Sequence, residues 1–154
     1  MAQAIKQTEE KLDRKEWMSL LAKAPADRLA ELWAAADSAP EQVFLRAPEQ
    51  GAVMVRGRTG ATGAPFNLGE MTVTRCTARL SDGTVGHGYV QGRDKTKAVT
   101  AALIDALMQT DQAHVIHDAI LMPLRENAEA AAQAKAAKAA ATKVEFFTLV
   151  RGED

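Results

Sequence analysis

A chain of 154 residues with a formal net charge of −1 fits one domain, and that balance excludes the broad attraction of a general nucleic-acid or membrane binder. The 47% hydrophobic fraction contains 31 alanines, so the larger apolar side chains supply one modest core. A single cysteine, Cys76, excludes an intramolecular disulfide and suits a reducing cytoplasm.

The opening "MAQAIKQTEEKLDRKEW" is charged and lacks the apolar run of a signal peptide. No window approaches the roughly 18 consecutive apolar residues of a membrane span. A cytoplasmic protein with no nucleic-acid or membrane partner is therefore expected. Trp17, Leu20, Leu21 and Ala24 follow the 3.6-residue period, as do Leu29, Leu32, Trp33 and Ala36, which predicts a helical pair. Pro25 suits the first turn of the second helix, where its missing N–H costs nothing. "DSAPEQ" ends that helix.

From Val43 the pattern turns β-prone. "VFLRA" and "AVMVRGR" read as two short strands parted by a turn at "PEQG". "EMTVTRCTARL" and "TVGHGYVQG" flank Ser81-Asp82-Gly83, and Asp-Gly marks a hairpin whose two central residues take positive φ. "RDKTKAVTAALIDALMQ" is a helix with Asp94 as N-cap and a stripe of Val99, Ala102, Leu103, Ala106 and Leu107. "AHVIHDAILM" is helical, and Pro123 reads as the start of another helix. Ten of the fifteen residues from Ala128 to Thr142 are alanine, which favours helix but buries little surface. Such a helix calls for a close-packed partner or stands as an exposed arm.

The chain closes on "KVEFFTLVRGED". Val144, Phe146, Thr148 and Val150 face one way and Phe147 and Leu149 the other, as in a strand covered on both sides. The expected fold class is α+β: an N-terminal helical pair, an antiparallel sheet of about four to five strands, and C-terminal helices with the Ala-rich helix and a terminal strand. One domain over 1–154 is expected, with helices over 1–41, strands over 42–92, helices over 93–143 and the terminal strand over 144–151.

Three places could carry chemistry. "VRGRTGATGAPFNLGE" sets Gly57, Gly60 and Gly63 three apart beside Arg56 and Arg58. It has neither the spacing and lysine of a phosphate-binding P-loop nor the following helix of a dinucleotide fingerprint. Arg56 and Arg58 share a face of one strand, and Arg75 and Arg79 share a face of the next. If those faces coincide, four guanidinium groups converge, which suits a phosphorylated ligand or an acidic partner chain. Otherwise the stretch is a long hairpin connection with solvated arginines.

The second place is "GRDKTK", where Arg93, Lys95 and Lys97 crowd the positive end of a helix. An anion there would offset their unfavourable position; without one, Asp94 caps the helix and the basic side chains point into water. The third is His114 with His117, three apart on a helix, and His87 on a strand. A metal site needs three or four converging ligands, and no H-E-x-x-H or C-x-x-C occurs. Cys76 sits mid-strand on the face of Ala78 and Leu80 as a buried, inert thiol. Asp82 reads as a turn residue and Asp105 as a helix-surface carboxylate. No self-contained catalytic set emerges.

The ordered pieces G-x-x-F-N-x-G-E, T-x-T-R-x-x-x-R-L-x-D-G, Y-V-x-G-R-D and D-A-L-M, with "WMSLLA" before them and F-F-T-x-V-R-G at the end, closely resemble the PhnG family. This is the G subunit of the bacterial carbon–phosphorus lyase core complex. The resemblance runs from about Trp17 to Gln109 and resumes at Val144. It implies assembly with H, I and J subunits, and joint action with the ATPase-like L subunit. The implied reaction is a transferase step of phosphonate catabolism. Methylphosphonate displaces adenine from ATP at the ribose C1, giving ribose 1-methylphosphonate 5-triphosphate. ATP is then a substrate of the complex, this chain carries no cofactor or catalytic residue, and the later iron–sulfur step belongs to another subunit.

On that reading the candidate interface or phosphate-contact residues are Arg56, Arg58, Gly60, Gly63, Phe66, Arg75, Arg79, Arg93, Lys95, Phe146 and Phe147. The alternatives are a homodimeric module holding a phosphorylated metabolite through Arg56, Arg58 and Arg93, and a metal-dependent hydrolase using His87, His114 and His117.

Overall fold

The structure is a computed structural model and describes residues 12–143. The expected terminal strand, with Phe146 and Phe147, lies outside the described residues. Helices α1 (Arg14–Lys23) and α2 (Ala26–Ala35) form the N-terminal pair. Asp13 and Glu16 make a reciprocal capping box on α1: the Glu16 N–H donates to Asp13 at 2.8 Å, and the Asp13 N–H donates to Glu16 at 2.7 Å. Two otherwise unpaired donors of the first turn are thereby satisfied. Pro25 stands just before α2, as its fixed φ favours.

Strands β1 (Gln42–Arg58), β2 (Pro65–Leu80) and β3 (Val85–Gln91) form an antiparallel sheet in the order β1-β2-β3. The described residues thus hold three strands where four or five were expected. "VFLRA" and "AVMVRGR" are parts of one strand, because Pro48 is absorbed at an irregularity between Arg46 and Glu49. A proline is tolerated there because β1 lies at the sheet edge and need not donate from every N–H.

The β2–β3 turn is the expected hairpin with a different geometry. Only Gly83 takes positive φ, at 91°, while the Gly83 N–H returns to the Leu80 carbonyl at 3.0 Å. A three-residue loop ending in a left-handed glycine results. Asp82 accepts from the Thr84 N–H at 2.8 Å, the turn role expected of it.

Helix α3 (Lys95–Leu107) lies across β2 and β3, with Asp94 capping it through the Lys97 N–H at 2.9 Å. Its burial is not a stripe. Nearly every residue from Lys97 to Leu107 is buried, because the sheet covers one side and α1 and α2 approach from the other. Cys76, Ala78, Leu80 and Val90 meet it from the sheet. Burial raises the Cys76 thiol pKa, which keeps it inert.

Gly86 and Gly88 decide how close the helix comes. A Cβ at Gly86 would collide with the Ala102 carbonyl oxygen, and one at Gly88 with that of Ala98. Glycines on the strand and alanines one turn apart on the helix let the two backbones meet.

Pro123 does not begin a separate helix. Helix α4 (Ala113–Ile116) passes through a π-helical turn (His117–Leu121) directly into α5 (Met122–Ala141). The wider turn accommodates a residue that lacks an N–H and would crowd the preceding turn. Within α5 only Leu124 is buried, and every residue from Glu126 to Ala141 is exposed. Its alanines leave no face able to hold it against the core.

Candidate assembly interface

β3 pairs with β2 only from Val73 to Arg79, whereas β1 pairs with β2 along its whole length. The chain from Ala52 to Arg58 and from Pro65 to Thr72 therefore leaves the three-stranded sheet as a two-stranded arm. Seven residues of β1 and eight of β2, at about 3.3 Å each, carry it roughly 25 Å outward. A lone two-stranded ribbon is marginal in water, so this arm is the part of the fold least supported by the other described residues.

Its two faces differ. Val53 pairs with Met71 and Gly57 with Phe66, and a Cβ at Gly57 would touch both the Phe66 ring and Leu68. Val53, Val55, Phe66, Leu68 and Met71 therefore share one face. Phe66 is 44% and Leu68 67% exposed, far above what large apolar side chains in a core show. Arg56 and Arg58 alternate with Gly57 and so look to the other face, as does Met54, which is opposite Glu70. The apolar face continues the side of β2 turned away from α3, past Val73 toward Tyr89, itself exposed on β3.

The glycine stretch is the tip of this arm. A 3₁₀ turn at Thr59–Ala61, with Gly60 at φ 59° and Ala61 at φ 66°, reverses the chain. The Gly63 N–H closes on the Thr59 carbonyl at 2.9 Å, and a Cβ at Gly63 would lie 2.7 Å from that oxygen. Arg58 donates to the Gly63 carbonyl at 3.0 Å, so its guanidinium braces the tip. No helix follows the loop, which runs directly into β2 and so offers no helix N-terminus to a phosphate.

The four arginines do not converge. Arg56 is level with Asn67, and Arg75 lies eight residues further along β2, about 26 Å away. Arg75 instead donates to Glu49 at 3.1 Å, with Arg46 near the same carboxylate at 3.7 Å. Arg79, at the far end of the sheet, lines a shallow cavity of about 780 Å³ with Glu41, Val43 and Asp82. Sequence alternation places arginines on faces but is silent on how far along a strand their partners lie.

At the junction before α3, Arg93 and Lys95 are exposed, and the Arg93 carbonyl accepts from Gln50 at 2.8 Å. Lys97 departs from expectation: it is buried and donates to the Ala22 carbonyl at the end of α1, at 3.1 Å. Burial lowers its pKa, partly offset by Asp94. The helix N-terminus is thus filled by Asp94, and one of its three cations is used inside the fold.

His114 and His117 both approach the Asp118 carboxylate, at 3.1 and 2.9 Å. Hydrogen bonding from His117, and after it the charges of the two imidazoles, hold Asp118 below its ordinary pKa. His87 faces Thr77 at 3.2 Å on the sheet. Among the described residues no three His, Cys, Asp or Glu side chains are grouped as metal ligands. No helix among them is long and apolar enough to cross a membrane.

Asp105 corrects another expectation. It is no surface carboxylate but wholly buried, accepting from Arg14, Trp17 and the His87 N–H. The hydrogen bond to Arg14 raises that guanidinium's pKa further. An Asp midway along an otherwise apolar helix, with a Trp and an Arg in an amphipathic helix far upstream, was the only trace of this hub in the sequence.

These features define an α+β chain whose distinctive surface is a projecting β arm. The phosphonate metabolism protein PhnG family matches residues 12–152. The chain is also 48% identical over 141 residues to the alpha-D-ribose 1-methylphosphonate 5-triphosphate synthase subunit PhnG of Rhizobium meliloti (strain 1021). That match covers 92% of this chain and 90% of that protein. The chain belongs to the PhnG family of phosphonate metabolism proteins.

Proposed function

We propose that this chain is a subunit of an alpha-D-ribose 1-methylphosphonate 5-triphosphate synthase, serving its assembly rather than its bond chemistry. The name of the Rhizobium meliloti relative supports the synthase. The observation that carries the subunit role is the arm: an apolar-faced ribbon about 25 Å long that the other described residues leave uncovered. The exposed α5 points the same way. The partners are the H, I and J subunits of the carbon–phosphorus lyase core and the ATPase-like L subunit, in the cytoplasm.

The reaction served is transfer of methylphosphonate onto the ribose C1 of ATP, with adenine leaving. ATP enters as a substrate of the complex, and this chain brings no cofactor. Gly60 and Gly63 give the tip its shape, Phe66 supplies apolar contact, and Arg56 and Arg58 supply charge. Of the other candidate residues, Arg75, Arg79, Arg93 and Lys95 are not gathered with them, and Phe146 and Phe147 lie outside the described residues. The homodimeric phosphate-binding reading is weakened, because the Arg93 carbonyl sits against Gln50, six residues or about 20 Å along β1 from Arg56.

Co-expression with and without H, I and J, followed by mass determination in solution, tests the reading. A stoichiometric complex formed only on co-expression supports it; a monodisperse chain that ignores those subunits overturns it. Replacing Arg56 and Arg58 together with Ala separates two roles for the tip. Loss of assembly assigns it to the interface, whereas intact assembly with a weakened ATP requirement assigns it to the triphosphate.

A further inference from the structure

We infer that the β1–β2 arm is inserted into a groove of another synthase subunit and enclosed on both faces, with an apolar wall against Phe66 and Leu68 and carboxylates beside Arg56. This rests on the subunit reading and specifies how the contact is made. The size of the arm carries the first step. A ribbon about 25 Å long and 10 Å wide offers roughly 250 Å² on one face, well below the roughly 800 Å² per partner of a stable interface. A flat contact on one side is too small. Enclosure of both faces and the open β1 edge brings the area to the required scale.

The chemistry of the faces carries the second step. Val53, Val55, Phe66, Leu68 and Met71 present an unbroken apolar surface on one side. The other side carries Arg56 near the tip and Glu70 lower down, opposite Met54. Arg56 is exposed and forms no ion pair with another described residue, while Arg58 is engaged with the Gly63 carbonyl. A wall that accepts this side needs acidic groups toward the tip. A second copy of this chain, meeting tip to tip around a two-fold axis, would bring four arginines together.

The outer edge of β1 adds a third contribution. Among the described residues it is unpaired along its length, and Val43, Phe44 and Leu45 are exposed at its base. An exposed apolar edge of this length is covered in a stable assembly. A strand of the enclosing subunit laid along β1 would satisfy its free backbone groups and shield that base.

The test is co-expression of the full chain with the other synthase subunits, comparing wild type with Phe66→Ser/Leu68→Ser and with Arg56→Glu/Arg58→Glu. Both variants lie outside the core, so each alone should keep the wild-type circular dichroism and Trp17 fluorescence. The expected result is at least a tenfold loss of co-purified partner for the apolar pair. The charge-reversed pair should lose affinity most at low ionic strength. Hydrogen exchange on the wild-type complex should show protection of the amides of residues 52–58 and 66–71 relative to the lone chain.

Wild-type assembly that both variants match, without such protection, overturns the inserted arm and leaves the subunit reading standing. Failure of the wild type to assemble overturns the subunit reading and the inference with it. A wild-type homodimer abolished by Phe66→Ser/Leu68→Ser overturns the different-subunit partner in favour of a second copy.

Discussion

The indole N–H of Trp17 on α1 donates to the Asp105 carboxylate on α3 at 2.9 Å, and that carboxylate has no exposure to solvent. Its remaining capacity is taken by Arg14, at 3.1 and 2.7 Å, and by the His87 N–H of β3 at 2.8 Å. One side chain thereby ties the N-terminal helix, the edge strand and the central helix together. A buried acid needs this many donors, because each unfilled position leaves a group that water would otherwise have satisfied.

Asp105→Ala should therefore lower the unfolding free energy by about 2–6 kcal/mol, because it orphans the Trp17 and His87 N–H donors at roughly 1–3 kcal/mol each, as read by urea denaturation. Arg14→Ala should cost less. Arg14 is 44% exposed, so water can reach the side it vacates.

Gly86→Ala and Gly88→Ala test the contact between β3 and α3. The obstacle at each position is a helix carbonyl, which cannot step aside as a flexible side chain can. Each should cost at least the roughly 1–3 kcal/mol of an overpacked core, visible as a lowered thermal midpoint. Gly69→Ala, where a Cβ meets open space, should be close to neutral in the same measurement.

Lys97 gives a pH dependence. Its folded pKa lies below the ordinary 10.5, so between the two values the unfolded chain binds the extra proton. Stability then rises with pH through that window, reaching its full contribution above 10.5 and losing it as pH falls through the lowered value. The unfolding free energy of wild type relative to Lys97→Met should rise toward pH 10, the difference cancelling the opposite contribution that the raised Cys76 pKa makes to both proteins.

Local stability should fall off along the arm. Amides of β2 between Val73 and Arg79 are flanked by β1 and β3, whereas those between Pro65 and Met71 have one neighbouring strand among the described residues. In the isolated chain the second group should exchange faster by at least tenfold. Equal protection along β2 would show that the arm is stable by itself.

Much of the local structure was legible in the residues. The two-helix start, the Asp94 cap, the Ser81–Gly83 hairpin, the inward Cys76 and the helical alanine run all rest on signals within a few positions. The ordered motifs that mark the PhnG family are also sequence features. What the tertiary structure decided depends on segments far apart in the chain. Asp105 reads as surface until partners 91 and 88 residues away, Arg14 and Trp17, close over it. Pro48 reads as a turn until a long edge strand absorbs it as an irregularity. Arg56 and Arg75 read as potential neighbours until strand register sets them about 26 Å apart. Periodicity fixes which way a side chain points from its own element; only the pairing of elements fixes what it meets there.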